Sequence, residues 1–397
     1  EDAEAWHRIQ QVLEDRVKAG VEVRVFYDDM GSIGFINTDF TKKMEAVGIR
    51  CRVFNPFMPG LNLFLNNRDH RKITVIDGKV GFTGGYNLAN EYFNLTHPYG
   101  QWKDTGIRLE GDAVRSLTVI FLEMWNAVSD KDENDTDFEQ FLPKYPYEAQ
   151  QTGFIQPYAD SPQDNEQVGE EVYISMVNKA EKYCWFMTPY LIITDEMTHA
   201  LTLAAKRGVD VRIITPGIPD KKQIYSITRS FYHGLVKDGV RIYEWTPGFC
   251  HAKMSVADDC MATCGTINLD YRSLYHHFEN GCFMTDCDAV LDGLDNIQSR
   301  QILANACERA GIPLIYGAVN GWVAQAAISC PGDHLIDLLY PDGAALKNKS
   351  VLSFTPALCA SMQVSLCVKF LTDRPVRTGT LYFFDLLNQE FEVIPMT

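Results

Sequence analysis

The sequence predicts an α/β protein in which one α/β unit occurs twice and is followed by a different, partial α/β module. Three observations predict it. A His-x-Lys-x4-Asp pattern appears as His70-Lys72-Asp77 and again as His251-Lys253-Asp258. Helix–glycine–strand segments precede each copy in the same order, and the pattern stops near Leu291. A chain of 397 residues suffices for two or three such domains.

Within the first copy, DRVKAGVEVRVFYDD (15–29) reads as a helix end, a glycine stop and an apolar strand. EAVGIRCRVFNPF (45–57) repeats that order and closes on a proline-containing turn. The acidic stretch SDKDENDTDFEQF (129–141) reads as an exposed connector, because its carboxylates lack calcium-loop spacing. The second copy opens with a helix and strand over EEVYISMVNKAEKYCWFMTPYLI (170–192), for which the residues before Asp15 offer no counterpart. The first copy is therefore expected to lack that opening strand and helix and to leave a sheet edge open. AAKRGVDVRIITPG (204–217) and VKDGVRIYEWTPG (236–248) match 15–29 and 45–57 in order and spacing. Beyond Leu291 the tail reads as a helix and buried strand over 294–322, an apolar helix within 353–375, and strands at 380–387 and 391–396.

A formal net charge of -16 argues against binding nucleic acid, or an anionic membrane, through bulk electrostatics. An anionic substrate must then be attracted locally. The eleven cysteines are odd in number and form no C-x-x-C pair, so they read as free, small core residues and not as metal ligands. The absence of a run of eighteen apolar residues leads to the expectation that no segment spans a bilayer.

The repeated motifs carry the chemistry. In DHRKITVIDGKVGFTGGYNL (69–88), His70 and Lys72 fall on one strand face because side chains alternate, so both can engage one phosphate. Asp77-Gly78 is a hairpin turn, Gly84-Gly85 permits close backbone approach, and Asn87 offers an amide donor. HAKMSVADDCMATCGTINLD (251–270) repeats the offsets with His251, Lys253, Asp258, Gly265 and Asn268. Cleaving a phosphodiester without metal needs a nucleophile, a proton donor for the leaving oxygen, and cations for the phosphoryl oxygens. Two histidines and two lysines supply that set. Asp104, in WKDTG, and Glu279, in HHFENG, are candidates to orient the imidazoles. Metal binding by the histidines is the weaker alternative, since each has a lysine beside it, and no cofactor is expected.

These stretches, with VEVRVFYDDMGS, QPYADSPQDNE, TPYLIITDEM and GTINLDYRSLYHHFENG, resemble the phospholipase D superfamily, and over about 1–288 resemble bacterial cardiolipin synthases. The resemblance implies duplicated phospholipase D-like α/β units around a pseudo-twofold active site. It also implies a transient phosphohistidine, phosphatidylglycerol as anionic phospholipid substrate, and release of glycerol at the bacterial cytoplasmic membrane surface. His70 would be the nucleophile and His251 the general acid/base, although sequence does not distinguish those roles. The family's amino-terminal membrane helices have no counterpart in this sequence. A phospholipase D-type hydrolase with water as acceptor uses the same residues, whereas the acidic chain argues against a nuclease.

The tail resembles the second half of adenylyltransferases of the ThiF, MoeB and HesA type, through LDNIQSRQILANACERAGIPLIYGAVNGW and LYFFDLLNQEFEVI. That likeness implies a nucleotide-binding remnant in Asp295, Asn296 and Arg300, which is outweighed by reading Asp295 as a helix cap and Cys330 as a small core residue. No glycine-rich nucleotide loop precedes it. The expected domains are 1–152, 153–288 and 289–397, joined near CDAVLDGLDN (287–296), with self-association possible through the last. An adenylyltransferase fragment or inactive fusion is the remaining reading.

Overall fold

A computed structural model describes residues 3–32, 39–56, 66–128, 135, 137–149, 153–286, 289–341 and 352–396. Phe57, most of the acidic connector (129–134 and 136) and Cys287-Asp288 at the expected junction lie outside the described residues.

The duplication is visible as helix, glycine and strand, twice over in each half. In the first half α1 (Glu4–Lys18) leads to β1 (Arg24–Asp28), and α2 (Phe40–Ala46) leads to β2 (Arg50–Phe54). These two strands pair in parallel, and Val23, Met44, Ile49 and Cys51 are buried beneath them against Trp6, Leu13 and Val17. The short β3 (Arg68–Asp69) precedes an antiparallel meander of β4 (Ile73–Ile76), β5 (Val80–Gly84) and β6 (Gly106–Glu110). Helix α3 (Ala113–Ala127) covers one face of the meander through Val114 and Leu117.

In the second half the strands are β7 (Phe154–Asp160), β8 (Tyr183–Met187), β9 (Leu191–Ile192), β10 (Asp210–Pro216), β11 (Arg241–Trp245), β12 (Met254–Ala257), β13 (Met261–Gly265), β14 (Leu269–Asp270) and β15 (His277–Thr285). Its helices are α4 (Val168–Lys179), α5 (Asp195–Lys206), α6 (Lys222–Lys237) and α7 (Tyr271–Tyr275). Gly20, Gly48, Gly208 and Gly239, which end α1, α2, α5 and α6, all have φ between 83° and 101°, a backbone region closed to most other residues. The main sheet runs β11-β10-β8-β12-β13-β15-β3, with β7 also on β15. Its core includes Met176, Val177, Cys184, Phe186, Leu201 and Ile213.

Here the two halves differ. Strand β8 joins β10, in parallel, to β12, antiparallel. Among the described residues no strand does this in the first half, and β1-β2 and β4-β5-β6 are separate sheets.

The chain divides into two compact units, Glu1–Glu148 with Ile155–Thr285, and Ala149–Phe154 with Asp286–Thr397. The second contains β16 (Val290–Leu291), α8 (Ile297–Ala310), β17 (Leu314–Asn320), β18 (Val323–Ser329), α9 (Leu335–Leu339), α10 (Phe354–Leu371), β19 (Thr380–Asp385) and β20 (Glu390–Pro395). Its sheet follows chain order. Side chains alternate across it: Leu314 and Tyr316 pack with Leu335 and Ile336, whereas Ile315 packs with Leu366 and Cys367 of α10. Strand β18, a run of small residues, is an element the sequence pattern does not announce. Against the expectation of no bilayer span, α10 is long and apolar enough to cross a membrane by length and composition; it also lies on β17 and β18 as a sheet-packed helix.

Candidate active site

Strand pairing carries each histidine to the opposite half of the duplication. The His70 N–H donates to the Phe278 carbonyl at 2.9 Å, and the His251 N–H to the Lys103 carbonyl at 2.7 Å. In each case the accepting residue is followed by a carboxylate. His70 Nδ1 lies 2.9 Å from Glu279 Oε1 and Oε2, and His251 Nδ1 lies 2.9 Å from Asp104 Oδ2. Both dyads therefore cross the pseudo-twofold, and Nδ1 is the tethered nitrogen in each.

The lysines repeat the symmetry. Lys72 Nζ donates to the His70 carbonyl and Lys253 Nζ to the His251 carbonyl, each at 2.6 Å. Lys253 Nζ also lies 2.7 Å and 2.9 Å from the two ring nitrogens of His251. Gly85 makes room for this crossing: a Cβ there would meet Asp104 Oδ1 at 2.4 Å and Lys253 Cδ at 3.0 Å. Gly84 and Gly265 permit the close backbone approach of the neighbouring strand. A Cβ on either would stand 2.4 Å from a backbone oxygen of Thr105 or Asn280.

Electrostatics follow from burial. His251, Lys253 and Glu279 are buried, and His70 is largely so. Burial pushes His70 down to about 4 and His251 to about 3, with neighbouring lysines adding repulsion against the carboxylates' attraction. Burial likewise lowers Lys72 to about 8 and Lys253 to about 7. For Glu279 burial pushes up, but attraction to His70, the nearby His277 ring and the hydrogen bond with His70 outweigh it and hold it well below the usual carboxylate range. Asp104 is lowered in the same way, against burial, by its bond to His251.

The remaining expected residues divide. Asn268 is buried, and its Oδ1 has no hydrogen-bond partner. The Asn87 amide donates to the Tyr92 hydroxyl at 2.7 Å. Asp77 and Asp258 are not brought to the histidines. Each sits on its hairpin turn with positive φ, 53° and 52°, seven residues and so about 20 Å of extended chain from its histidine. The Asp258 carboxylate accepts N–H bonds from Glu181, Lys182 and Tyr183 at 2.7 to 2.9 Å, so its work is to pin the hairpin to the start of β8. In the second unit, Asn296 rather than Asp295 caps α8, accepting from the Ser299 N–H at 2.8 Å. Arg300 is buried on Asp292, the Gly317 carbonyl and Tyr340. Asn296 thus serves as a cap and Arg300 as one half of a core ion pair.

Sequence reasoning missed Thr266, which donates to Glu279 Oε2 at 2.5 Å, and Asn280, whose amide donates across the halves to Thr83 at 2.9 Å. It also missed Trp102 and His277, aromatic rings beside His251 and His70. His70, His277 and Glu279 present donor atoms within 4.8 Å of one another, a spacing a cation could use, though the Lys72 ammonium opposes one.

A family model described as "Cardiolipin synthase, PLD-like domain" matches residues 6–125 and 173–298, and the ThiF family model matches 264–397. An uncharacterized protein of Streptococcus mutans is 50% identical over 287 residues, 72% of this chain and 61% of that one. A cardiolipin synthase of Halalkalibacterium halodurans is 35% identical over 288 residues, 71% of this chain and 56% of that protein. Cardiolipin synthase 2 of Bacillus cereus is 36% identical over 283 residues, 71% and 54%. The chain thus spans between 54% and 61% of the length of these relatives. The crystal structure of a phosphatidylserine synthase from Haemophilus influenzae aligns over 78% of each chain with a TM-score of 0.52 at 15% identity, a likeness of fold.

Proposed function

The chain belongs to the phospholipase D-like cardiolipin synthase family, and on that premise we propose that it is a phosphatidyltransferase joining two phosphatidylglycerol molecules with release of glycerol. The observation that carries this reading is the pair of crossed dyads, His70 with Glu279 and His251 with Asp104, each with a buried lysine two residues on. Tethering Nδ1 turns the Nε2 edge of each ring away from its carboxylate; for His251 that nitrogen lies 2.9 Å from Lys253 Nζ, which must turn to the phosphate for the ring to act.

In the proposed reaction His70 Nε2 attacks phosphorus. The bond from phosphorus to the glycerol oxygen breaks, its electron pair stays on that oxygen, and His251 protonates it. A hydroxyl of a second phosphatidylglycerol, deprotonated by His251, then attacks the phosphohistidine and releases His70 with cardiolipin. His251 is neutral in the empty site, and the bound phosphodiester's negative charge favours its protonated form. Lys72 and Lys253 neutralise the phosphoryl oxygens. Turning over the Asn268 amide exchanges its unpartnered oxygen for an N–H pair and supplies another donor.

The domains in this reading are 1–152, 153–288 and 289–397. The substrate is met at the bacterial cytoplasmic membrane, with local lysine charge offsetting the acidic chain. Self-association runs through the last domain, where Val364, Val368, Phe391 and Val393 are exposed. Sedimentation at micromolar concentration should give a concentration-dependent dimer that Val368→Asp weakens, and a monomer at all concentrations would exclude it.

Incubation with phosphatidylglycerol in detergent micelles tests the function. Cardiolipin plus glycerol is expected. Phosphatidic acid alone would favour the hydrolase, and no product with this lipid would overturn the assignment for this chain. His70→Ala and His251→Ala should each lose activity by at least a thousandfold; retention of even a tenth by either would remove the two-histidine mechanism.

A further inference from the structure

The duplication supplies an internal comparison that points to one more residue. Asp104 is preceded, two positions earlier, by Trp102, and Glu279 is preceded, two positions earlier, by His277. Both rings lie beside the histidine their carboxylate holds. Trp102 is 5.4 Å from His251 between ring centroids at an interplanar angle of 40°, and His277 is 5.5 Å from His70 at 47°. Trp102 Nε1 donates to Asp104 Oδ2 at 3.3 Å. His277 Nδ1 lies 3.4 Å from Glu279 Oε1, and neither of its buried ring nitrogens makes a well-directed hydrogen bond.

We propose that His277 is the positioning residue of the His70 dyad: it donates a ring N–H to Glu279 as Trp102 does to Asp104, and so fixes the carboxylate that orients His70. Three groups face Glu279 in this arrangement. Thr266 donates to Oε2, His277 addresses Oε1, and His70 Nδ1 is shared between the two oxygens. Without the His277 donor, Oε1 loses a partner inside a buried site, and the carboxylate is free to rotate away from the His70 ring. His277 also borders a cavity of about 240 Å³ lined by Asp160, Gln167, Tyr275 and His276. Replacing it therefore need not disturb close packing on every side. The two dyads thus share one plan, carboxylate plus aromatic N–H donor, with an indole on one side and an imidazole on the other.

This assignment deepens the reading of the site as a two-dyad phosphodiester centre and rests on it. The test compares His277→Gln, which keeps an N–H donor, with His277→Met, which does not, in the whole chain and with bis(p-nitrophenyl) phosphate as probe substrate. His277→Met should lower kcat ten- to a hundredfold with KM within about twofold, the loss expected when a group orienting a reacting side chain is removed. His277→Gln should recover most of it. A second readout needs no turnover: the ring N–H proton of His70 bonded to Glu279 gives a downfield NMR resonance, which should weaken or shift in His277→Met and persist in His277→Gln. Unchanged kcat in His277→Met overturns the proposal. So does equal impairment of both variants, which would mean the ring acts by packing. If wild type cleaves no phosphodiester, the functional reading fails, while the resonance in the two variants still decides whether His277 positions Glu279.

Discussion

Glu279 carries a negative charge in a position with no exposure to solvent, and this is tolerable because His70, His277 and Thr266 surround it. The same burial keeps His70 and His251 neutral well below the ordinary histidine range. That has a consequence for stability. In the unfolded chain these histidines take up protons near pH 6.5, whereas folded they resist until about pH 4 and 3. Between those limits the unfolded state binds more protons, so stability must fall as pH drops. Lowered Glu279 and Asp104 add to this at the acid end, while Asp160, raised to about 6, opposes it over part of the window. The two histidine shifts outweigh the single opposing one. Thermal midpoints should therefore fall from pH 7 to pH 4.5, and less steeply in the double variant His70→Ala/His251→Ala. A midpoint that rises on acidification would contradict the buried, neutral histidines.

Asp258 belongs to the scale of the element. Its motif position suggests chemistry, yet its carboxylate holds three backbone N–H groups at the start of β8 and closes the β12–β13 hairpin against it. Hydrogen bonds to a charged acceptor are worth about 1.5 to 3 kcal/mol when well made, and this carboxylate is partly exposed, so Asp258→Ala should cost about 1 to 2 kcal/mol of stability. The variant should keep most of its turnover at temperatures where it stays folded. A loss of kcat comparable to that of His251→Ala, without destabilisation, would return Asp258 to the chemistry. Asp77 has the same turn geometry, but the first half contains no counterpart of β8 among the described residues for it to hold.

At the scale of the molecule, two compact units each own a core, and the second contains a buried ion pair. Arg300 and Asp292 lie at 3% and 2% exposure, with Tyr340 and the Gly317 carbonyl completing the guanidinium's bonds. Removing one member of such a pair strands the other, at about 3 to 5 kcal/mol. Arg300→Met should lower the thermal midpoint of the second unit and leave phosphodiester cleavage intact. Unchanged unfolding in calorimetry would show that the pair is not holding that core.

Sequence alone determined the duplication, the paired His-Lys motifs from which phosphodiester chemistry is proposed, and the change of character near Leu291. Spacing, glycine stops and side-chain alternation are local properties, and they place His70, Lys72, His251 and Lys253 at equivalent positions just before β4 and β12. It could not separate motif residues that gather from those that do not, since Asp77 and Asp258 occur at the same fixed offset. Only tertiary structure decided that each histidine is held by the other half's carboxylate. It also decided that Gly84 and Gly265 answer to a neighbouring strand, that Arg300 is committed to a core, and that Trp102 and His277 stand in equivalent places. The physical reason is common to all of these. Such contacts join residues as many as 209 positions apart, and their geometry is set by strand pairing and burial, which no local pattern encodes.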